Sequence, residues 1–327
     1  MKTLFFLLSI VFFFFFDSYA QTCCSGGVPL SNNLGLPNEG EGALQLGLSY
    51  DYNNLNTLFA ETTELDDDSR QRVTNSVLLN MGYSITNRIA VEALFTWVNQ
   101  TRTITQFGNE NFTSTSGVGD AAFLIKYSLP NILGQNTLFN LGVGTKAPLG
   151  KSDIKSDQGI QLTADLQPGS GAWDGIGWLS FAKSLNIRPS ASISINTTLR
   201  LTGQNNSYLN NTATYEFGDE IQANVGYIDQ FLIFNKLFNP GLIFKYRRAF
   251  ADKIDQQNIP NTGGEWVFVR PEMTLELFPN FNINARLELP IYSFVEGTQL
   301  TPTSRFTTGI AFTFKTKKEI FILNNKL

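Results

Sequence analysis

The stretch Ser-Ala-Ser-Ile-Ser-Ile-Asn-Thr-Thr-Leu-Arg-Leu, residues 190–201, decides how the rest of the chain is read. Ala191, Ile193, Ile195, Leu199 and Leu201 fall on one side of an extended chain. Ser190, Ser192, Ser194, Asn196, Thr198 and Arg200 fall on the other. Successive side chains of a strand point to opposite faces, so alternation this regular places one face in an apolar medium and the other in a polar one.

The pattern recurs along the chain. Leu44, Leu46, Leu48, Tyr50 and Tyr52 oppose Gln45, Gly47, Ser49 and Asp51. Val77, Leu79, Met81 and Tyr83 oppose Ser76, Asn80, Gly82 and Ser84, and Ile89, Val91, Ala93, Phe95 and Trp97 oppose Ala90, Glu92 and Thr96. The same rule predicts strands near 117–128, 137–149, 172–183, 216–228, 240–250, 265–278, 281–292 and 305–315, giving about twelve in all, an even number as in single-chain bacterial barrels.

Connection lengths alternate. Residues 53–71, 103–116 and 150–171 read as long loops, whereas Thr86-Asn87, Leu185-Asn186, Pro279-Asn280 and the region 235–239 read as tight turns. Long external loops paired with short periplasmic turns characterise outer-membrane barrels. Aromatics near strand ends on the apolar face (Tyr50, Tyr52, Phe95, Trp97, Phe123, Tyr127, Phe244, Tyr246, Phe312 and Phe314) match an interfacial girdle. The fold expected is therefore all-β: an antiparallel transmembrane β-barrel over residues 42–316, followed by a tail, 317–327. The competing reading, a secreted soluble sandwich, would bury its largest apolar residues in one core.

Composition agrees with the barrel. The chain has 327 residues, 42% hydrophobic but only 16% charged, with a net charge of −4. A mean hydropathy of −0.08 does not suit a helical membrane protein, whereas alternation dilutes the apolar surface of a barrel. No basic stripe points to nucleic acid. Residues 1–20 read as a signal peptide: Lys2 precedes the apolar run Leu4 to Phe16, and Ser18-Tyr19-Ala20 supplies small residues at the cleavage positions. Export to the outer membrane is expected, with outer-membrane lipid and lipopolysaccharide as surroundings. Residues 21–41, rich in Gly, Asn and Pro, form either a periplasmic segment or a plug.

Histidine is absent, which removes histidine-based triads, acid–base pairs and His-ligated metals, so no enzyme activity and no cofactor are expected. Cys23 and Cys24, the two cysteines, are candidates for a soft metal or an intermolecular disulfide. Glu61, Glu64, Asp66, Asp67 and Asp68 make the first long loop acidic, which reads as a solvated charge run. Strand parity points Glu92, Asp120, Lys126, Lys245, Arg247, Arg270, Glu272, Glu276, Arg286, Glu288 and Arg305 into the lumen. Opposite charges on neighbouring strands predict cross-strand ion pairs in a polar, charged lumen.

Four short motifs carry a resemblance. They are Gly117-Val118-Gly119-Asp120, the run Gly142-Val143-Gly144-Thr145-Lys146-Ala147-Pro148-Leu149-Gly150, Gln167-Pro168-Gly169-Ser170-Gly171, and Gly218-Asp219-Glu220. In order and spacing they resemble the outer-membrane β-barrel family of the meta-pathway phenol degradation type, grouped with long-chain fatty-acid transporter-like barrels. The resemblance covers the middle third well and the ends weakly. It implies an outer-membrane channel or transporter for small organic molecules, apolar ones included. The alternative is a non-transporting structural or interaction barrel at the cell surface.

Overall fold

The computed structural model describes residues 33–315. The expected signal peptide, Cys23 and Cys24, most of the segment 21–41 and the tail 317–327 lie outside the described residues.

Twelve strands close into an antiparallel barrel. They are β1 (Ala43–Leu55), β2 (Arg70–Ser84), β3 (Ile89–Gln106), β4 (Asn109–Val118 continued by Ala121–Pro130), β5 (Thr137–Ala147) and β6 (Asp174–Ser184). The second half is β7 (Ser192–Leu201), β8 (Glu220–Ile228), β9 (Lys236–Ala249), β10 (Gly264–Phe278), β11 (Phe281–Val295) and β12 (Ser304–Lys315). Each strand pairs with its sequence neighbour, and β1 pairs with β12 from Ala43↔Lys315 to Asn54↔Ser304, which closes the ring. Closure leaves no sheet edge, so the backbone polar groups of the wall satisfy one another.

The alternation becomes an outside and an inside. On β2, Val77, Leu79, Met81 and Tyr83 are 41, 40, 37 and 43% exposed, while Ser76, Leu78 and Ser84 are at most 3% exposed. The outward apolar run Ile89 to Trp97 on β3 spans about 27 Å of strand, or about 21 Å along the axis at a tilt of about 40°. That is close to the band of about 25 Å expected in an outer membrane. A continuous exposed belt of this kind far exceeds the few hundred Å² that soluble monomers tolerate. Ala191 is the exception in the opening stretch: it precedes β7 in a turn and is fully buried.

One end carries short connections. Phe278 and Phe281 pair across Pro279-Asn280, with Asn280 at φ +69°. In the turn before β3 the Thr86 hydroxyl accepts the N–H groups of Arg88 (3.1 Å) and Ile89 (2.9 Å). The other end carries the long loops, braced by a three-stranded sheet (Thr57–Ala60, Thr63–Leu65, Thr298–Thr301) and a four-stranded one (Gln204–Ser207, Ala213–Glu216, Lys253–Ile254, Gln257–Asn258). Residues 103–116 correct the expectation of a loop. They continue β3 and β4 as a hairpin paired to Gln106↔Asn109, because Thr-rich alternation suits a strand in water as well as in a wall.

β4 is broken by a bulge. Trp97 faces Val118 but Leu94 faces Ala122, so one extra residue is accommodated around Gly119-Asp120. A Cβ on Gly119 would collide with the Thr96 hydroxyl. Gly119→Val should therefore destabilise the barrel by about 1–3 kcal/mol, read as a lower temperature for the unfolded band on a gel.

Candidate functional site

The interior is the site. Apart from Glu276, which is half-buried at the short-turn rim and accepts the Asn280 N–H at 3.4 Å, the predicted residues fall into three groups along it.

Nearest the short-turn end, Glu92 of β3 and Lys126 of β4 pair at 2.8 Å, both side chains nearly inaccessible. The chain preceding β1 enters the barrel and docks on them. The Glu92 carboxylate accepts the Gly35 N–H (3.0 Å) and the Leu36 N–H (3.0 Å), and Lys126 donates to the Leu36 carbonyl. Further in, Asn80 donates to the Asn33 carbonyl at 3.0 Å and Arg286 of β11 donates to the Asn33 side chain. At the rim Asn38 donates to the Thr86 carbonyl at 3.2 Å. Gly35, at φ +100°, rests on the Trp178 indole, and a Cβ there would lie 2.6 Å from Cζ2.

Above this pair lies an apolar belt of Leu78, Leu94, Ala122, Leu124, Ile176 and Trp178, with Leu34 packed against it. This adds an apolar level to the lumen expected to be polar and charged. The inner faces of β2, β3 and β4 each set a Leu (Leu78, Leu94, Leu124) among polar residues, β6 adds Ile176 and Trp178, and the interior is dense enough to bury Leu94 completely.

Toward the long loops, Lys146 of β5 bridges Asp120 (2.9 Å) and Asp174 (3.0 Å), all three buried. Asp120, carried inward beside the bulge, also accepts the Ser170 N–H (3.0 Å), the Ser170 hydroxyl (2.7 Å) and the Gly150 N–H (3.3 Å). Residues 148–173 are thereby folded back over the barrel mouth. A Cβ on Gly150 would lie 2.7 Å from the Gly169 Cα, so only glycines let the two loop limbs cross there. The Gln167 side chain ties the loop to itself through Ile154 and Leu162, and the Gln167 backbone carbonyl accepts from the Gln100 side chain. Arg72 of β2 holds the loop from below, 2.7 Å from the Asp165 carboxylate. Under the neighbouring loops Tyr208, Tyr215, Ile259 and Ala164 form a small core, and burial pushes the Tyr208 phenol above its ordinary pKa.

The opposite wall carries ion pairs. Glu220 of β8 meets Arg247 (2.7 Å) and Arg200 (3.5 Å), Lys245 meets Glu288 (2.9 Å), and Arg305 of β12 meets Asp51 of β1 (3.0 Å). Lys245 on β9 reaches Glu288 on β11 across the intervening strand rather than a direct neighbour. Arg270 pairs with Glu272 two residues along its own strand, at 3.4 Å. Arg247 stacks over Trp266 and Lys245 over Phe268, at 5.0 and 4.8 Å from the ring centroids.

Sequence reading missed Asp51, Arg72, Lys146, Asp165, Asp174 and Glu220 as partners, and the apolar belt. Inner-face parity marks Arg72, Lys146, Asp174 and Glu220, and the alternation of β1 puts Asp51 on the polar face. Asp165 lies in a loop, where periodicity gives no signal. In the first loop Asp67 accepts the Ser69 N–H at 2.9 Å, and bonding to Ser69 holds its carboxyl below the ordinary carboxylate range. Among the described residues no cluster of His, Cys, Asp or Glu has a metal-holding arrangement.

The geometry is matched by a solved outer-membrane channel from Pseudomonas putida F1. Similarity covers 86% of this chain and 97% of that one, at 16% identity and a TM-score of 0.67. The fold is that of an outer-membrane β-barrel. The transport unit of the autotransporter AIDA-I from Escherichia coli (10% identity, covering 90% and 100%, TM-score 0.46) and LpxR from Salmonella typhimurium (10%, 83% and 100%, 0.43) are more distant. No protein-family model and no curated protein matches the sequence.

Proposed function

We propose that the chain is an outer-membrane channel for small organic molecules, exported behind a signal peptide cleaved after Ala20. In this reading the short turns face the periplasm and residues 33–41 close the lumen from that side. The carrying observation is the closed wall with an apolar belt outside and an interior where Gly35 and Leu36 dock on Glu92 and Lys126. The lumen offers both an apolar belt and an ion-paired wall, which suits solutes with an apolar body and a polar end. The motif resemblance favours the meta-pathway type of barrel, with lipopolysaccharide around the long-loop rim. Every lumen charge named above has a partner, and the chain has no histidine, so transport is favoured over catalysis.

Fractionation tests location. The mature chain should stay in carbonate-washed outer membranes and run as a band that shifts on heating. Recovery as a soluble periplasmic band would contradict it. Conductance in planar bilayers then separates a channel from a purely structural barrel.

A further inference from the structure

The seat of Leu34-Gly35-Leu36 has the features of a ligand site occupied by the chain itself. Two successive backbone N–H groups point at one buried carboxylate, Glu92, and the following carbonyl meets an ammonium, Lys126. The preceding side chain, Leu34, packs on the apolar belt, and Gly35 lies so close to the Trp178 ring that a Cβ would collide with it. Donor pair, acceptor and branched apolar group are the elements of an acylated apolar amino acid or short apolar peptide. A hydrocarbon alone would fill the belt and leave the carboxylate with fewer donors, at the cost of an underbonded buried charge.

We propose that this seat, once residues 33–38 leave it, binds small apolar amides, from acylated amino-acid amides to short apolar peptides, and that it is the specificity site of the channel. The proposal rests on the transport reading above and adds the class of solute. No covalent step is involved; the chain's own segment and the solute compete for one set of hydrogen bonds, and solute entry displaces the segment.

The test uses the full chain. Gly35→Val cannot sit against Trp178, so this variant presents an empty seat while the barrel wall is untouched; the heat-shifted band checks that it folds. The probes are capped Asn-Leu-Gly-Leu-Pro-Asn, the sequence of residues 33–38, and N-acetyl-leucinamide, followed by calorimetry in detergent and by fluorescence in backgrounds that keep Trp178 alone of the four tryptophans. Both should bind the variant at least about tenfold more tightly than the wild type, whose seat is filled. A hexapeptide with Val in place of its Gly should bind at least about tenfold more weakly than the parent. Replacing the Leu that mimics Leu34 with Ser should also weaken it. Failure of both probes to bind folded Gly35→Val, or equal binding to both proteins, would overturn the proposal. A variant that conducts without binding removes this inference alone, and one that binds without ever conducting removes the transport reading.

Discussion

If the barrel is a channel, removal of residues 21–40 should turn a nearly silent barrel into a conducting one. Gly35 and Leu36 of that segment are held by hydrogen bonds to the buried Glu92 and Lys126, each worth about 1.5–3 kcal/mol net. Two of them, after the cost of ordering the segment, keep it seated about a hundredfold more often than free. Planar-bilayer recordings of the intact chain should show rare, brief openings. The truncated chain should show an open probability about a hundredfold higher. Folding of the truncated chain is checked by its heat-shifted band, since residues 33–40, the described part of the segment, contribute no strand to the wall. An unchanged record from a folded, truncated barrel would place the barrier elsewhere, in the loop folded over the mouth.

That loop carries the second large effect. Lys146→Met leaves Asp120 and Asp174 facing each other with no counter-charge, and both are buried. Breaking a buried ion pair from one side costs about 3–5 kcal/mol, more than the loss of a surface bridge. Denaturant titration of the barrel in micelles should report a loss of that order. Limited proteolysis should cut within residues 148–173, because Asp120 also anchors Ser170 and Gly150. Adding Asp120→Asn and Asp174→Asn to the Lys146→Met variant removes the stranded charges and should recover part of the loss. A single variant as stable and as protease-resistant as the wild type would show that the triad does not hold the loop.

The wall was legible in the sequence because a strand in a barrel obeys one local rule. Ile193, Ile195, Leu199 and Leu201 face out and Ser194, Asn196, Thr198 and Arg200 face in, and parity alone carries that information. Parity also points each candidate charge inward, but it gives no partner. Lys245 meets Glu288 two strands away, and Asp51 meets Arg305 across the closure between the first and last strands, a contact between distant residues that no local pattern encodes. Leu94 and Leu124 break the polar-in expectation because Leu34 of the entering segment packs against them at that level, and such a contact prefers aliphatic side chains to unpaired polar ones. The glycine motifs were legible as turns and bulges, but their joint purpose was not. Gly119, Gly150 and Gly169 are far apart in sequence and meet where the loop crosses the bulge.

Fluorescence quenching by brominated lipid, on single-tryptophan variants in liposomes, tests the inside–outside assignment most directly. Trp97 is 51% exposed on the outer face of β3, and Trp178 is 8% exposed on the inner face of β6. Lipid bromines should quench Trp97 strongly and leave Trp178 nearly unaffected. Equal quenching of both, or quenching of neither, would contradict a lipid-facing belt wrapped around a closed lumen.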